Sequence, residues 1–375
     1  MISVECVRTL DALRAEAPHW DALLQRCPHR ELYLTYSWTE RWCTYFGGSG
    51  LRILLVKDDD QLVGIAPLML TRERARGLSI RKLGFLLNGC SVRSDFIIPR
   101  EWSRECFSAL VRYFRRTCGE WDVISLKGVA ERSGTPVALQ QAVAAERGLL
   151  LAPPVTWDNL VLGVDGDWER YIKGRSYNFR RRLRSAERQL STMGKVVVTR
   201  HDDPADVDAV MAAIFDIERR SWKMQGGEPV AGRSDYRAFY LDVTRWCAAH
   251  GAWRAWILSV DGVPVASLNT LSYEGTVYGE KMSYDASYAT GSPGRVLFRA
   301  MVEDLFRDEA VDELDLDRET PFLGRWTQST RRYHQATIFS RRPYSLFLWT
   351  LRQYGRPAME RSRSLLRKAF QVLAP

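Results

Sequence analysis

Residues 253–273 read WRAWILSVDGVPVASLNTLSY, two apolar runs joined by the dipeptide Asp261-Gly262. An Asp-Gly pair between apolar runs is the strongest short-range signal of a β-hairpin. The same order of features occurs at residues 51–70, LRILLVKDDDQLVGIAPLML, where KDDDQ supplies an acidic turn. Solenoid units recur every 20 to 50 residues or so, so the much longer spacing here indicates two copies of one domain.

The bulk composition is that of a globular chain with room for two domains. It has 375 residues, of which 46% are apolar and 26% are charged. No apolar run reaches the roughly 18 residues that a membrane-spanning helix needs. The N-terminus carries acidic residues and lacks an apolar signal core, so we expect a cytoplasmic protein. The 13 tryptophans indicate aromatic cores or a groove for flat or sugar-like ligands.

The cysteines, the histidines and the distribution of charge limit the kinds of site and ligand to expect. The seven cysteines are never spaced as C-x-x-C, which favours reduced thiols packed as small apolar side chains. The five histidines show no metal-ligand spacing, so the sequence predicts no metal site. Much of the net charge of +9 lies in segments 170–200 and 341–368. This localisation favours a polyanionic partner or a phosphate-bearing ligand.

Each hairpin is followed by the same elements. We predict a strand, a helix and a second strand in both copies, with the strand at 94–98 equivalent to the strand at 282–285. The sequence thus predicts an α/β (α+β) fold of two duplicated domains, each a mixed, mostly antiparallel sheet flanked by helices. The expected parts are an N-terminal domain (1–152), a C-terminal domain (153–342) and a basic amphipathic tail (343–375).

Two basic segments leave alternatives open. In the helix that follows Trp168, we place Phe179, Leu183, Ala186 and Leu190 on one stripe and arginines on the other side. These arginines are suited to a phosphorylated or tRNA-like ligand, or form an ordinary solvated face. The tail is suited to an anionic membrane surface at the inner face of a membrane, or to packing on the domain.

A glycine-bearing turn precedes one helix of the second copy. Gly291, Ser292 and Gly294 lie between a strand and a helix, where free N–H groups at the helix N-terminus suit a phosphate, and Arg295 adds charge. The alternative is plain helix entry, with Ser292 as N-cap and Pro293 in the first turn.

The order of elements resembles the GCN5-related N-acetyltransferase (GNAT) fold. The run YDASYATGSPGRVLFRAMVEDLFRDEAVDELDLDRE (284–319) is similar to the signature of the BioF2-like, or CelD/BcsL, acetyltransferases. Segments 176–190, 214–223 and 261–285 are similar to the same family. This family is a tandem-GNAT group related to the Fem peptidoglycan aminoacyltransferases.

The resemblance implies an acyl-CoA donor, typically acetyl-CoA, whose pyrophosphate lies at the turn Gly291–Arg295. It also implies a strand that splays from its neighbour and polarises the donor carbonyl. Here Pro293 supplies no N–H, and the usual Q/R-x-x-G-x-G/A spacing is missing. The Tyr-Lys pair that relatives often show after a proline is replaced by Phe322-Leu323.

Candidate site residues flank that splayed strand. Glu280 and Asp285 bracket it as proton acceptors, and Tyr284 is a candidate acid or orienting group, although Glu280 and Tyr284 also fit one face of an ordinary strand. The next strand end supplies candidate substrate-binding residues, since ligands favour such ends; Trp326 suits either a substrate platform or the core. These residues are Asp315, Asp317, Arg325 and Trp326.

The expected function is transfer of an acyl group from acyl-CoA to an amine or hydroxyl of an envelope polysaccharide or lipid precursor, with the second copy carrying the active site. The envelope assignment comes from the resemblance. One alternative is a Fem-like aminoacyltransferase that uses aminoacyl-tRNA. Another is a noncatalytic protein of the membrane surface, or a scaffold, that retains the fold.

Overall fold

The structure, a computed structural model, describes residues 1–75, 77–164, 166–221 and 233–355. Two compact units divide the chain. Unit 1 is Met1–Trp157 together with the chain from Arg332, and unit 2 is Asp158–Arg331. Most of the predicted tail lies outside the described residues. None of the helices within the described ranges is long and apolar enough to cross a membrane.

Unit 1 is a mixed sheet with flanking helices. Its strands are β1 (Ile2–Val7), β2 (Leu51–Asp58), β3 (Gln61–Ala75), β4 (Leu78–Phe85), β5 (Val123–Ala130), β6 (Leu149–Leu151) and the part of β13 (Thr330–Ser340) from Arg332 onward. Its helices are α1 (Leu10–Ala15), α2 (Ala17–Gln25), α3 (Tyr36–Phe46), α4 (Ser103–Arg116), α5 (Thr135–Ala145) and α11 (Pro343–Thr350).

Unit 2 has the same kinds of element. Its strands are β7 (Val155–Gly163) from Asp158 onward, β8 (Val196–His201), β9 (Trp253–Val260), β10 (Val263–Tyr273), β11 (Thr276–Tyr284) and β12 (Glu313–Asp315). Its helices are α6 (Trp168–Gly174), α7 (Tyr177–Ser191), α8 (Val207–Arg219), α9 (Ser234–Ala249) and α10 (Pro293–Leu305).

The strand pairings confirm the duplication. In unit 1, β1 to β4 pair antiparallel in order, β4 pairs parallel with β5, and β5 pairs antiparallel with β13. In unit 2, β8 to β11 pair antiparallel in order, β11 pairs parallel with β12, and β12 pairs antiparallel with β7. The predicted α/β class, with two mixed and mostly antiparallel sheets, is therefore confirmed.

The domain limits differ from the expected ones because of the last strand of each sheet. β13 lies within the range expected for the C-terminal domain, 153–342, but it pairs with β5 and β6 in unit 1. β7, at the start of that domain, supplies the strand next to β12 in unit 2. Unit 2 thus takes its last strand from the segment between the two copies, and unit 1 takes its last strand from the segment that follows the second copy.

Both hairpins form as the sequence predicts. Asp59 and Asp261 each have φ near 49°, and Gly262 has φ near 80°. Positive φ is what the tight two-residue hairpin turn requires, and Asp and Gly tolerate it.

One equivalence was wrong. Residues 94–98 form no strand, and only an isolated bridge joins Ile65 to Ile97. β4 holds the position of β11, since both are fourth strands of a meander and both pair parallel with the strand after the next helix. The apolar run at 96–98 is buried as loop, while the first five residues of β4 are half-buried or exposed and include Ser79, Arg81 and Lys82, which obscure its strand pattern.

The amphipathic helix in unit 2 agrees with its pattern. In α7, Phe179, Leu183, Ala186 and Leu190 are buried, and Ser176 caps the N-terminus by accepting a hydrogen bond from Phe179 N. The apolar spacing of residues 9–27 predicts one helix, but the structure has two, α1 and α2, because Pro18 lies in the first turn of α2 and starts a new helix.

A buried polar network lies inside unit 1. His29 Nε2 lies 3.2 Å from Glu31 Oε1, and Arg93 Nη1 donates to Tyr333 Oη at 2.8 Å. Burial alone would raise the pKa of Glu31, but the charges of His29 and Arg93 outweigh it and lower that pKa to about 2. Ionised Glu31 therefore stabilises unit 1 at neutral pH.

We expect Glu31→Gln to lower the free energy of unfolding at pH 7 by about 3 kcal/mol, the equivalent of that pKa shift. The contribution of a carboxyl with a lowered pKa is present above its unfolded value and is lost as pH falls toward the folded value. The difference from the parent protein should therefore shrink between about pH 4.5 and pH 2. Urea unfolding at several pH values measures this difference in the free energy of unfolding, with Glu5→Gln at an exposed position as the control. An equal loss of stability at every pH would contradict the role of ionised Glu31.

Candidate active site

The parallel strands β11 and β12 of unit 2 diverge. Their pairing covers only Thr276–Tyr278 with Glu313–Asp315. β11 then continues to Tyr284, still paired with β10, where Tyr284 lies opposite Ala266. Six residues of β11, Gly279–Tyr284, thus extend beyond the last residue pair with β12, as the predicted opening requires.

A β-bulge lies at the start of this stretch. Asn269 pairs with Lys281 and Thr270 with Gly279, so Glu280 is an extra residue in β11. Bulges bend a strand and redirect its side chains, and they are common next to active sites. The candidate Glu280 is therefore at the point where β11 leaves β12.

Unit 1 differs at the equivalent place. β4 and β5 pair only at Lys82–Gly84 with Val123–Ser125, but the chain itself lies against the following part of β5. A Cβ on Gly128 would lie 2.7 Å from Arg93 Cα and 2.9 Å from Val92 O, so this backbone is in close contact with β5. We therefore place the candidate site in unit 2.

Asp285 is held in place after the end of β11. Its Oδ1 accepts hydrogen bonds from Ser287 N at 2.9 Å and from Ser287 Oγ at 2.6 Å, and its Oδ2 pairs with Arg220. Burial opposes ionisation, but the bonds from Ser287 and the charge of Arg220 outweigh it and lower the pKa of Asp285. An anchored carboxylate of low pKa fits a structural cap better than a proton acceptor.

Close packing explains the two glycines at the entry to α10. A Cβ on Gly291 would lie 2.7 Å from Leu190 Cδ1 and 3.0 Å from Met193 Sδ, at the end of α7. A Cβ on Gly294 would lie 3.3 Å from the ring of Tyr284. Gly291 and Gly294 are both buried, so the turn lies against β11 and α7.

The N-terminus of α10 offers few free N–H groups. Ser292 occupies the N-cap position and Pro293 the first turn, as the alternative expected, but Ser292 has φ near 51° and makes no side-chain cap hydrogen bond. Its N–H donates to Ala289 O, Pro293 has no N–H, and Arg295 N donates to Ser292 O at 2.9 Å. In this turn, Gly294 is left with an N–H that has no acceptor within the helix.

Positive charge gathers at this helix end. Burial, followed by the charges of Arg325 and Arg182, lowers the pKa of Arg295. Within the part of the chain that the structure describes, none of these three arginines forms an ion pair with a carboxylate. We call Arg182, Arg295 and Arg325 the arginine cluster. Three like charges at a helix N-terminus are suited to a polyanionic ligand such as a phosphate or pyrophosphate.

The candidate substrate residues after β12 divide into two kinds. Asp315 is fully buried; its Oδ1 accepts from Asp317 N at 2.8 Å, and Arg331 lies 3.4 Å from its Oδ2. Trp326 is also fully buried, with ring centroids of Phe179 and Phe298 each 5.0 Å away. Such burial favours the core role of Trp326 over a substrate platform. Asp317 is half-buried and Arg325 is exposed.

Two features of unit 2 were missed by sequence reasoning. The arginine cluster joins residues from α7, α10 and a later turn, which only folding brings together. A buried ion pair between Lys281 and Glu218 joins residues 63 positions apart. Its signal was the polar side chains Asn269, Lys281 and Ser283 within otherwise apolar strands. Within the described ranges, no group of His, Cys, Asp or Glu is arranged to hold a metal ion.

Comparison with solved structures shows the fold. A crystal structure of FemX, 10% identical, covers 93% of this chain and 99% of its own, with a TM-score of 0.56. The C-terminal domain of a protein from Agrobacterium fabrum, assigned as a lysylphosphatidylglycerol synthetase, is 9% identical to this chain. The match covers 90% of this chain and 96% of that domain, with a TM-score of 0.53. L-PGS from Bacillus licheniformis is 10% identical, and the match covers 85% of this chain and 90% of that protein, with a TM-score of 0.51.

Comparison of sequences is more specific. No curated protein matches the chain significantly. Residues 177–324 match the family model described as acetyltransferase (GNAT) domain. This range lies within unit 2 and includes α7, the divergent strands β11 and β12, and the entry to α10. Residues 177–324 are therefore a GNAT-type acyltransferase domain.

Proposed function

We propose that unit 2 binds an acyl-CoA donor, with acetyl-CoA as the first candidate, at the N-terminus of α10. The arginine cluster carries this proposal, because three arginines without carboxylate partners among the described residues are suited to the phosphates of CoA. In this turn only Gly294 retains an N–H for the ligand. The arginine side chains would therefore contribute more of the binding free energy than the backbone N–H groups. The affinity should therefore fall with increasing salt.

The acyl group would lie along Gly279–Tyr284, where β11 has separated from β12. The bulge at Glu280 bends the strand at this point, which favours polarisation of the donor carbonyl by backbone N–H groups. Tyr284 contacts the first turn of α10 and is the candidate acid for the leaving group, with Glu280 as a candidate proton acceptor. Asp285, in this proposal, fixes the turn that joins β11 to α10. Asp317 and Arg325 remain the candidates for contacts with the acceptor.

The acceptor in this proposal is an amine or hydroxyl of an envelope polysaccharide or lipid precursor. The family resemblance supports the envelope assignment, and the fold likeness to a lysylphosphatidylglycerol synthetase is compatible with a lipid-linked acceptor. An anionic membrane surface is the partner that the basic C-terminal segment favours, which would place the protein at the cytoplasmic face of the membrane.

A second candidate function is aminoacyl transfer from tRNA. It is favoured by the exposed arginines of α7 and by the scarcity of N–H groups at the α10 turn, and the fold likeness to FemX is compatible with it. The exposed arginines of α7 are Arg181, Arg182, Arg184 and Arg188.

Isothermal titration calorimetry of the full chain with acetyl-CoA and with aminoacyl-tRNA tests these readings. Saturable binding of acetyl-CoA is expected. Binding of aminoacyl-tRNA alone would favour the second candidate, and binding of neither would favour the noncatalytic scaffold. A titration at two salt concentrations adds the predicted loss of affinity with salt.

A further inference from the structure

A buried ion pair lies beneath the divergent part of β11. Lys281 Nζ donates to Glu218 Oε1 at 2.9 Å, and the two side chains are 6% and 3% exposed. Lys281 Nζ also lies 5.0 Å from the ring centroid of Tyr240. Removing two charges from water is costly, and such a pair adds little to stability by itself. Its place in the molecule therefore suggests a role besides stability.

Unsatisfied polar atoms surround this pair. Among the described residues, Glu218 Oε2, Ser267 Oγ and Asn269 Nδ2 are buried without a hydrogen-bond partner. Asn269 lies directly opposite Lys281, and Ser267 opposite Ser283, so these side chains share one face of the sheet. Folded proteins rarely leave several such atoms unsatisfied on one face. One acceptor and two potential donors thus converge on the face covered by α8.

The pair and the proposed donor site lie on opposite faces of the same strand. Lys281 comes immediately after the bulge at Glu280, and alternation places Met282 and Tyr284 on the other face. That other face contacts the first turn of α10, because Gly294 lies against the Tyr284 ring. A donor held at α10 and a nucleophile held beside Glu218 would therefore approach β11 from its two faces and meet in the opening beside β12.

We propose that the Glu218–Lys281 pair is the acceptor half of the reaction centre, a role that rests on the proposed acyl transfer. The acceptor amine or hydroxyl donates a hydrogen bond to Glu218 Oε2, with Ser267 and Asn269 as further contacts. Lys281 occupies Oε1 and balances the charge, so Oε2 is the oxygen that takes the proton, and Glu218 replaces Glu280 as the proton acceptor.

The step balances in atoms and charge. An ammonium acceptor first gives one proton to Glu218, and the free nitrogen lone pair forms the new bond to the acyl carbonyl carbon. The bond from that carbon to the donor sulfur breaks, and the thiolate takes up the second proton of the attacking nitrogen. Glu218 then returns its proton to solvent. With a hydroxyl acceptor, the single O–H proton passes through Glu218 to the thiolate.

Two small nucleophiles separate this role from a structural one. Ethanolamine is protonated at neutral pH and must lose a proton before it attacks, whereas hydroxylamine is largely unprotonated. Release of CoA from acetyl-CoA is measured with each, after subtraction of the uncatalysed rate. For Glu218→Gln we expect at least about 100-fold slower release with ethanolamine, in the range of general-base effects. The loss with hydroxylamine should be much smaller, and acetyl-CoA affinity should stay within about twofold.

A double variant guards against simple misfolding. Glu218→Gln with Lys281→Met removes both buried charges, so no unpaired ammonium remains, and it should fold with an unchanged or higher Tm. It should lose ethanolamine-dependent release all the same. The matched control is Asp208→Asn with Arg245→Met, an exposed pair between α8 and α9 with side chains 65% and 55% exposed. This control should keep the parent rate.

Each outcome counts for or against the inference. Full ethanolamine-dependent release by either Glu218 variant would overturn it, as would equal losses with both nucleophiles. Acetyl-CoA binding to the parent protein without release by either nucleophile would overturn it as well. Failure of the proposed function looks different, since the parent protein would then not bind acetyl-CoA at all.

Discussion

Replacing Arg182, Arg295 and Arg325 together with Met is expected to weaken acetyl-CoA binding by about 100-fold or more. Each hydrogen bond to a charged group contributes roughly 1.5–3 kcal/mol, so loss of even two phosphate contacts reaches this size. The charges of Arg182 and Arg325 lower the pKa of Arg295, and a bound anion would relieve this repulsion. The salt dependence of the remaining binding should be shallower than in the parent protein.

Calorimetry at two salt concentrations measures this effect. The control replaces Arg104, Arg112 and Arg147, three exposed arginines of unit 1, with Met and so changes the net charge equally. Its affinity for acetyl-CoA should be close to that of the parent. An arginine-cluster variant that binds as tightly as this control would show that the donor binds elsewhere.

Trp326→Ala is expected to destabilise the protein by roughly 3–5 kcal/mol, the usual cost of removing a large aromatic side chain from a core. The Trp326 ring is fully buried between Phe179 and Phe298, so its loss leaves a cavity at the base of α7 and α10. Its backbone carbonyl accepts hydrogen bonds from Tyr171 Oη at 2.6 Å and Arg175 Nη1 at 3.0 Å, and these bonds do not depend on the indole. The effect should therefore come from lost packing.

Urea unfolding measures this loss, and Trp326→Phe supplies the control. Phenylalanine keeps an aromatic ring in the same space, so most of the stability should return. A Trp326→Ala protein that is as stable as the parent but binds substrate less well would restore the platform role. The core role thus predicts a loss of stability, and the platform role predicts a loss of substrate affinity.

Local sequence patterns predicted the hairpins and α7 well. The Asp turns at Asp59 and Asp261 need only residues that tolerate positive φ, and the apolar stripe of α7 needs only its own spacing. The strand β4 was missed because its first five residues are half-buried or exposed and include Ser79, Arg81 and Lys82, whereas the buried loop at 96–98 is apolar. A buried loop and a buried strand can both appear as a short apolar run, so a single sequence does not distinguish them.

The candidate site was less predictable because its parts are distant in sequence. The turn before α10 was identified from Gly291 and Gly294, but the structure shows that both glycines allow close packing. Charge at the site comes from Arg182 and Arg325 as well as from Arg295, and no spacing rule joins these three. The same holds for Glu218 and Lys281, which meet only because α8 covers the strand pair β10 and β11.

The filled opening in unit 1 is a physical reason to place the donor site in the other copy. Both units separate their parallel strands after a few residue pairs, and in unit 1 the chain lies against the following part of its strand, at Gly128. The buried network of His29, Glu31 and Arg93 lies in that same unit. A copy that fills its own opening has no room there for a donor, which agrees with the match of residues 177–324 to an acetyltransferase domain.

Hydrogen–deuterium exchange with and without saturating acetyl-CoA tests most directly whether the donor lies along the free end of β11. Slower exchange is expected in peptides that span Gly279–Tyr284 and the start of α10, with β2 to β4 of unit 1 unchanged. Saturable binding that leaves exchange at Gly279–Tyr284 unaltered would contradict this placement of the donor.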